Sequence, residues 1–371
     1  MPGLAEGGVV EYRELGCWVV TDPATTRAAL GERRLSSASL ARCLDLYMSG
    51  PARDRYGRLE EILTQWLVQI DGPDHAELRK RLSPALSPAR VRAFEPEIER
   101  IVDEALDRLA AAAHPDAVAA VSDVIPAKVM GRLLTLPDVD VALLYQWTRA
   151  VSTFLDGVYR EGAADRAQRA LGEMFEQLAA VSAEGGQAGG IWDHLAEGTH
   201  RLATASMMLF GGLETTASLL GSVLHHVLAE PATAARIRAE GAPAAQAVTE
   251  EVLRTRPPLS HVARVARSDL DIGGRRIAAG DLVLLSLNGH DVIGAPHASA
   301  AADQQAHAFG YGIHYCLGAA LARAEATVLL TRFCTRYPHA RAVGPEPAWG
   351  GNSTYLRFEE LRLDLGAPAV G

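Results

Sequence analysis

Residues 91–113, VRAFEPEIERIVDEALDRLAAAA, repeat apolar side chains at spacings of three and four with charges between them, which predicts an amphipathic helix. Residues 201–230, RLATASMMLFGGLETTASLLGSVLHHVLAE, are apolar on most sides and predict one long helix at the centre of the molecule. AAQAVTEEVLRTR (244–256) predicts a further helix, stopped by Pro257 and Pro258. Strand patterns are fewer: CWVVTD (17–22), and LDIGGRRIAAGDLVLLSL (270–287) with hairpin-like turns at Gly-Gly and Ala-Gly. AEGGQAGG (183–190) has the composition of a linker, but the helix after it is too apolar to stand outside a shared core. The expected fold is mainly α with a small β portion, in one domain.

Composition narrows the class. The chain has 371 residues, 48% of them hydrophobic, enough for a large core. No charged-then-apolar leader opens it, and no apolar run approaches the ~18 residues of a membrane span, so a cytoplasmic protein without membrane contact is expected. A net charge of -9 argues against a nucleic-acid partner. Cys17, Cys43, Cys316 and Cys334 lie far apart and form no CxxC pair, which argues against a disulfide framework and a cysteine-rich zinc site.

One stretch carries unusual chemistry. FGYGIHYCLG (309–318) sets Cys316 among three glycines and a histidine, just before AALARAEATVLL (319–330), which predicts a helix. A cysteine before a helix is most often a small buried hydrophobe. Here Gly310, Gly312 and Gly318 relax the backbone and leave a face on which a flat ligand can lie. The helix N-terminus favours a thiolate over a thiol, and a thiolate on such a surface suits an axial ligand to haem iron. A dinucleotide fingerprint fails because Tyr315 stands at its last glycine, and no Walker Gly-Lys-Ser/Thr occurs.

FGYGIHYCLGAALARAE (309–325) resembles the haem-ligand signature of bacterial cytochromes P450, FGxGxHxCLGxxLARxE, at every specified position. The resemblance implies the family's fold, a helical triangular prism around a long central helix, with haem b as cofactor. It also implies that Cys316 is the proximal thiolate, that Phe309 packs beside it and that His314 reaches a haem propionate. GGLETT (211–216), midway along the long helix, is similar to the family's oxygen-activation motif, with Gly211 in place of the usual alanine. Glu214 and Thr215 are the acid and alcohol that proton delivery to oxygen needs, and Gly211 with Gly212 would let the helix open locally. In DHAELRKR (74–81), His75 and Arg79 sit one helical turn apart and match the family's HxxxR motif, which holds a propionate. Arg264, five residues before Asp269, matches the arginine on the other propionate. Glu251 and Arg254 match the ExxR pair, which in the family is buried behind the haem and organises the cysteine loop.

The matches run from WVVTDPATTRAAL (18–30) to LRFEELRLDL (356–365) in the family's order, so one such domain is expected over residues 1–371. Two departures stand out: a short N-terminus, and a shortened segment at 288–308 that contains no arginine to complete a triad with ExxR. His290, His297 or backbone carbonyls are the candidate substitutes. The implied activity is that of a haem-thiolate monooxygenase acting on a small organic molecule, by hydroxylation, coupling or ring closure. Two electrons would come from a ferredoxin and its reductase, since the chain carries no flavin or iron–sulfur motif; Arg79, Lys80 and Arg81 offer a basic docking patch. The alternatives are a haem-thiolate protein that binds without turnover, and a peroxide-driven enzyme; the acid–alcohol pair argues against both. Met207, Phe210, Gly211 and Val262 are expected in the substrate pocket, with residues 45–65 and 150–190 covering it. A natural product is the expected class of substrate.

Overall fold

The structure is a computed structural model and describes residues 8–48, 50–136, 140–157, 160–183, 190–195, 199–287 and 307–366. The linker-like 184–189, and His290 and His297 of the shortened segment, lie outside the described residues.

In chain order the helices are α1 (Pro23–Gly31), α2 (Leu40–Tyr47), α3 (Pro51–Asp54), α4 (Gly57–Thr64), α5 (Gly72–Leu82), α6 (Pro88–Ala111) and α7 (Val124–Leu133). α8 (Val141–Asp156), α9 (Ala163–Ala183), α10 (Thr199–Ala229), α11 (Pro231–Glu240), α12 (Ala242–Thr255) and α13 (Ala319–Arg336) follow. The strands are β1 (Val9–Tyr12), β2 (Cys17–Val20), β3 (Leu35–Ser36), β4 (His261–Ala266), β5 (Leu270–Ile272) and β6 (Arg275–Ile277). The last five are β7 (Leu282–Ser286), β8 (Arg341–Ala342), β9 (Trp349–Gly351), β10 (Leu356–Phe358) and β11 (Leu363–Asp364).

Local chemistry explains the helix limits. α6 begins three residues before the periodic stretch because Pro88 fills its first turn and the Ser87 side chain accepts from the Arg90 amide. α12 stops at Thr255, ahead of the two prolines, as the sequence predicts.

α10 is the axis of the molecule. Its first half packs, through residues such as Ala203, Leu209 and Leu213, into one apolar cluster with α7, α8 and α9. Its second half, Leu219 to Val227, enters another with α6, α12 and α13. A helix with partners on both sides needs no polar face, which is why it is apolar nearly all round. Against the sequence expectation, His200–Ala229 is long and apolar enough to cross a bilayer, but 78% of its most apolar window is buried inside the protein. It is a core helix.

The main sheet runs β1-β2-β7-β4-β3, antiparallel except for the β2–β7 pair. Of the two hairpin-like turns expected in 270–287, the structure forms one between paired strands and corrects the other. β5 and β6 do pair across Gly273-Gly274, but β7 leaves them to lie between β2 and β4. Leu282, Val283, Leu285 and Ser286 are all buried, so β7 has two apolar faces and needs a central place in a sheet.

Candidate active site

One cavity of about 300 Å³ lies between α10 and the loop before α13. Its α10 wall carries Met207, Met208, Gly211, Gly212, Thr215 and Thr216, and the facing wall carries Phe309, Gly310 and residues 314–318, including Cys316. His75 and Arg79 from α5, and Val262 and Arg264 from β4, close one edge. Alternate residues of a strand share a face, so β4 delivers Val262 and Arg264 together.

The cysteine loop is held by its own backbone. The Cys316 amide donates to the Phe309 carbonyl at 2.8 Å, closing the loop on itself. Gly310 and Gly312 have φ of +70° and +73°, and a Cβ at Gly312 would stand 3.4 Å from the Leu30 carbonyl at the end of α1. These two glycines therefore serve the turn and its contact with α1. Only Gly318, where a Cβ would meet nothing within 4 Å, leaves open space of the kind expected for a ligand face. Cys316 is exposed and opens to the cavity, though the surrounding protein still desolvates its sulfur. Burial pushes its thiol up, and the amides of Gly318 and Ala319 with the charges of Arg79 and Arg323 oppose that. The helix end thus favours the thiolate but does not by itself outweigh burial; a bound metal cation would complete the shift.

The edge beside the loop is basic. Arg264 is 7% exposed, and burial lowers its pKa to about 10. Its Nη1 donates to the Ala263 carbonyl. His75 is buried, its Nε2 has no hydrogen-bond partner among the described residues, and its pKa is lowered to about 4 by burial and by His314 and Arg79. The two imidazoles lie 4.3 Å apart between ring centroids. Arg79 donates to the Tyr315 carbonyl at 2.7 Å, tying α5 to the loop.

His314 lines this edge, and its Nε2 is 2.9 Å from Asp71. An ionised carboxylate only accepts, so Nε2 carries the hydrogen. Asp71, at the start of α5, also accepts from Ser36 and Ser37 of the β3 segment and from Arg267. Its pKa falls to about 2: burial pushes it up, and the bonds from Ser36, His314 and Ser37 more than offset that. Burial is also the largest influence on His314 and lowers its pKa, so near neutrality the imidazole contributes a hydrogen bond to Asp71 rather than a charge.

On α10, Thr215 and Glu214 do not share a face, because adjacent helical residues project about 100° apart. Thr215 lines the cavity and its hydroxyl donates to the Gly211 carbonyl at 2.7 Å. Glu214 is 3% exposed and turns away from the cavity, accepting from the Thr148 hydroxyl at 2.7 Å, with Arg357 at 3.9 Å. Arg357 is itself fixed by Asp123 through contacts of 2.7 and 2.9 Å. Burial raises the Glu214 pKa against the pull of Thr148 and Arg357, favouring the neutral acid. The local opening expected at Gly211-Gly212 is not observed, since α10 runs as an unbroken α-helix. Gly212 has a packing role instead: a Cβ there would lie 2.6 Å from Met130 Sδ.

Of the expected site residues, Met207, Gly211, Thr215, Val262, His75, Arg79, Arg264, Phe309, His314 and Cys316 line the one cavity. Phe210 does not; it is turned about 100° from Gly211 and packs on Trp66 and Tyr355 at 5.1 and 5.5 Å. Nor do 45–65 and 150–190 contribute among the described residues, because the apolar stripes of α8 and α9 are spent on α10's other side. Leu67, Val68 and Leu86 stand there instead.

The ExxR expectation also needs correcting. Glu251 is exposed, and among the described residues no ion pair joins it to Arg254, whose buried Nη1 has no partner. The segment that would supply the third arginine contains none. Sequence reasoning missed Asp71, Thr148, Asp123 and Arg357. It also gave no role to Glu325, the last residue of the cysteine signature, which is buried on the cavity lining with its pKa pushed well up. Asp71 alone left a sequence signal, an acid just ahead of DHAELRKR.

The donor set fits haem. An unpaired buried imidazole nitrogen and a buried guanidinium sit at one edge, where two propionates would lie. A cysteine open to the cavity stands where an axial ligand is needed.

Comparison with known proteins agrees. The Cytochrome P450 family profile matches residues 196–291. Nocardicin C N-oxygenase of Nocardia uniformis subsp. tsuyamanensis is 32% identical over 92% of this chain and 87% of its own length. Pentalenolactone synthase of Streptomyces exfoliatus is 28% identical over 97% and 92%. Among solved structures, the tirandamycin C-bound P450 monooxygenase TamI superposes with a TM-score of 0.79 at 28% identity, covering 94% of this chain and 90% of that one.

Proposed function

This chain belongs to the cytochrome P450 family of haem b monooxygenases, and from that premise we propose that it is a cytoplasmic, ferredoxin-fed oxygenase of an apolar natural product. The observation that carries the reading is that Thr215 and Cys316 face each other across one cavity whose substrate side is apolar. Haem held by a cysteine thiolate supplies reductive activation of O₂, with one oxygen atom entering the substrate and the other leaving as water.

The protein's own residues do the rest. Cys316 provides the thiolate, and Phe309 covers its side of the loop. His75, Arg79 and Arg264 hold the propionate edge, with His314 beside them. Thr215 keeps a proton at its hydroxyl on the cavity wall, and Glu214, kept towards the neutral acid by burial, is the reserve behind it. Met130, Met207 and Met208, adaptable thioethers, line the substrate side with Leu67, Val262 and Leu287. Exposed Lys80 and Arg81, beside exposed Tyr311, Ile313 and Tyr315, suit an acidic ferredoxin on the cysteine side. The natural-product assignment draws on relatives that bear such names, the nocardicin C oxygenase and the pentalenolactone synthase.

Candidate compounds are to be screened by the low-to-high-spin shift of the haem spectrum, then turned over with ferredoxin, its reductase and NADPH. Thr215→Ala should bind haem and substrate normally while diverting most reducing equivalents to hydrogen peroxide, within the roughly 10²–10⁴-fold that a positioned proton donor contributes. Unchanged coupling in that variant would remove Thr215 and Glu214 from proton delivery.

A further inference from the structure

Among the described residues no ion pair joins Glu251 to Arg254, yet the cysteine loop is anchored to α12 by other means. Glu250, the neighbour of Glu251, accepts two hydrogen bonds from Arg323 of α13, from Nε and Nη2. The same guanidinium stacks over the Phe309 ring, 4.3 Å from its centroid. Its Nη1 reaches the Tyr315 hydroxyl at 3.3 Å and the Ala319 carbonyl at 3.5 Å. Phe309 and Tyr315 flank Cys316, and the Phe309 carbonyl takes the Cys316 amide. One planar cation therefore touches both sides of the loop and is aimed by a carboxylate on α12. Arginine suits this task because its fork binds a carboxylate in two places while its face stacks on an aromatic ring.

We propose that the Glu250–Arg323 pair, in place of Glu251 and Arg254, is the clamp that positions Cys316 in this protein. Arg323 is the positioning residue, acting through Phe309 and Tyr315, and Glu250 orients Arg323. The pair lies partly in solvent, so its value is the geometry it imposes more than the stability it adds. The inference rests on Cys316 being the haem ligand, which Cys316→Ala tests separately.

Glu250→Gln, Glu251→Gln and Arg323→Gln should be compared as haem-loaded proteins by haem transfer to apomyoglobin, by the absorption of the reduced carbon monoxide complex, and by the reduction potential. Glu250→Gln should release haem roughly fivefold faster, shift the potential and raise the share of the complex lacking the thiolate-type band. Arg323→Gln should do more, since it also loses the stack on Phe309, and Glu251→Gln should match the wild type. If Arg323→Gln fails to fold, Glu250→Gln, which keeps the side-chain shape, decides. Loss of the thiolate band in Glu251→Gln with none in Glu250→Gln would overturn the proposal. So would a fall in melting temperature in Glu250→Gln with potential and band unmoved, which is the mark of a purely structural pair. If Cys316→Ala kept the band, the ligand assignment would fall first; if it lost the band and Glu250→Gln was silent, the clamp alone would fall.

Discussion

The two walls of the cavity are built in opposite ways. On the cysteine side, most of what the chemistry needs lies within ten residues: the ligand, the amide-to-carbonyl closure from Cys316 to Phe309, and the left-handed turns at Gly310 and Gly312. On the α10 side Thr215 reaches the cavity but Glu214 does not, and Glu214 owes its state to side chains on other elements. Thr148 comes from α8, Arg357 from β10, and Asp123 from the start of α7. A ligand presented by local backbone can be recognised from a short motif. An acid whose charge state depends on burial and distant partners cannot.

The sharpest way to break the comparison is at the ligand. Cys316→Ala removes a side chain that faces the cavity rather than the core, so the haem-free protein should keep its melting temperature. The reduced carbon monoxide complex should lose its thiolate-type Soret band and turnover should fall below detection. An unchanged band would mean that the loop, for all its local completeness, does not supply the ligand.

Asp71 tests how local the cysteine side is. It lies outside the loop, yet it binds His314 of the loop, Ser36 and Ser37 beside β3, and Arg267 after β4. Asp71→Asn keeps the shape but gives up the charge behind several hydrogen bonds, a loss of about 2–3 kcal/mol at neutral pH. Calorimetry of the haem-free protein would read it. The pH dependence has a defined sign. The folded carboxyl titrates near 2, below the ~3.9 of an unfolded aspartate, so its stabilisation is complete above roughly pH 4 and is lost as pH falls through about 2. The asparagine variant should therefore lose part of the acid sensitivity between roughly pH 4 and 2. Full retention of that slope would show that Asp71 carries no such linkage.

This contrast also sets what the sequence discloses. α6, α10, α12 and the start of α13 are legible because period and proline stops act within a few residues of one another. β7 is not, because its central position depends on β2 and β4, far away in the chain. In the site, Cys316, His75, Arg79, Arg264 and Thr215 could be placed from motif spacing, and the structure does set them on one cavity. Phe210 was misassigned because a helical stretch apolar on all sides gives no phase from which to choose a face. Glu251 and Arg254 fit the family's spacing, but a pair that needs a third partner is not secured by spacing alone. Arg357 and Asp71 act across the fold; no local pattern marks Arg357, and Asp71 is marked only by its place just ahead of DHAELRKR.

The smallest expected effect sharpens the α10 side. The family resemblance puts an alanine where this chain has Gly211, and a Cβ there would meet nothing within 4 Å. Gly211→Ala should therefore add no clash. It should raise stability by about 1 kcal/mol from helix propensity, which for a chain of this size is roughly 1 °C in melting temperature. The added methyl points into the cavity beside Thr215, so the largest substrates should bind more weakly by spin-shift titration while small ones hardly change. Equal weakening for all sizes would mean that the methyl disturbs α10 itself. The outcome separates the adjacent glycines by cause, since a Cβ at Gly212 would press on the Met130 side chain, 2.6 Å from its Sδ. Gly212 then serves packing, and Gly211 is left to set the width of the cavity where substrate meets the oxygen-activating residues.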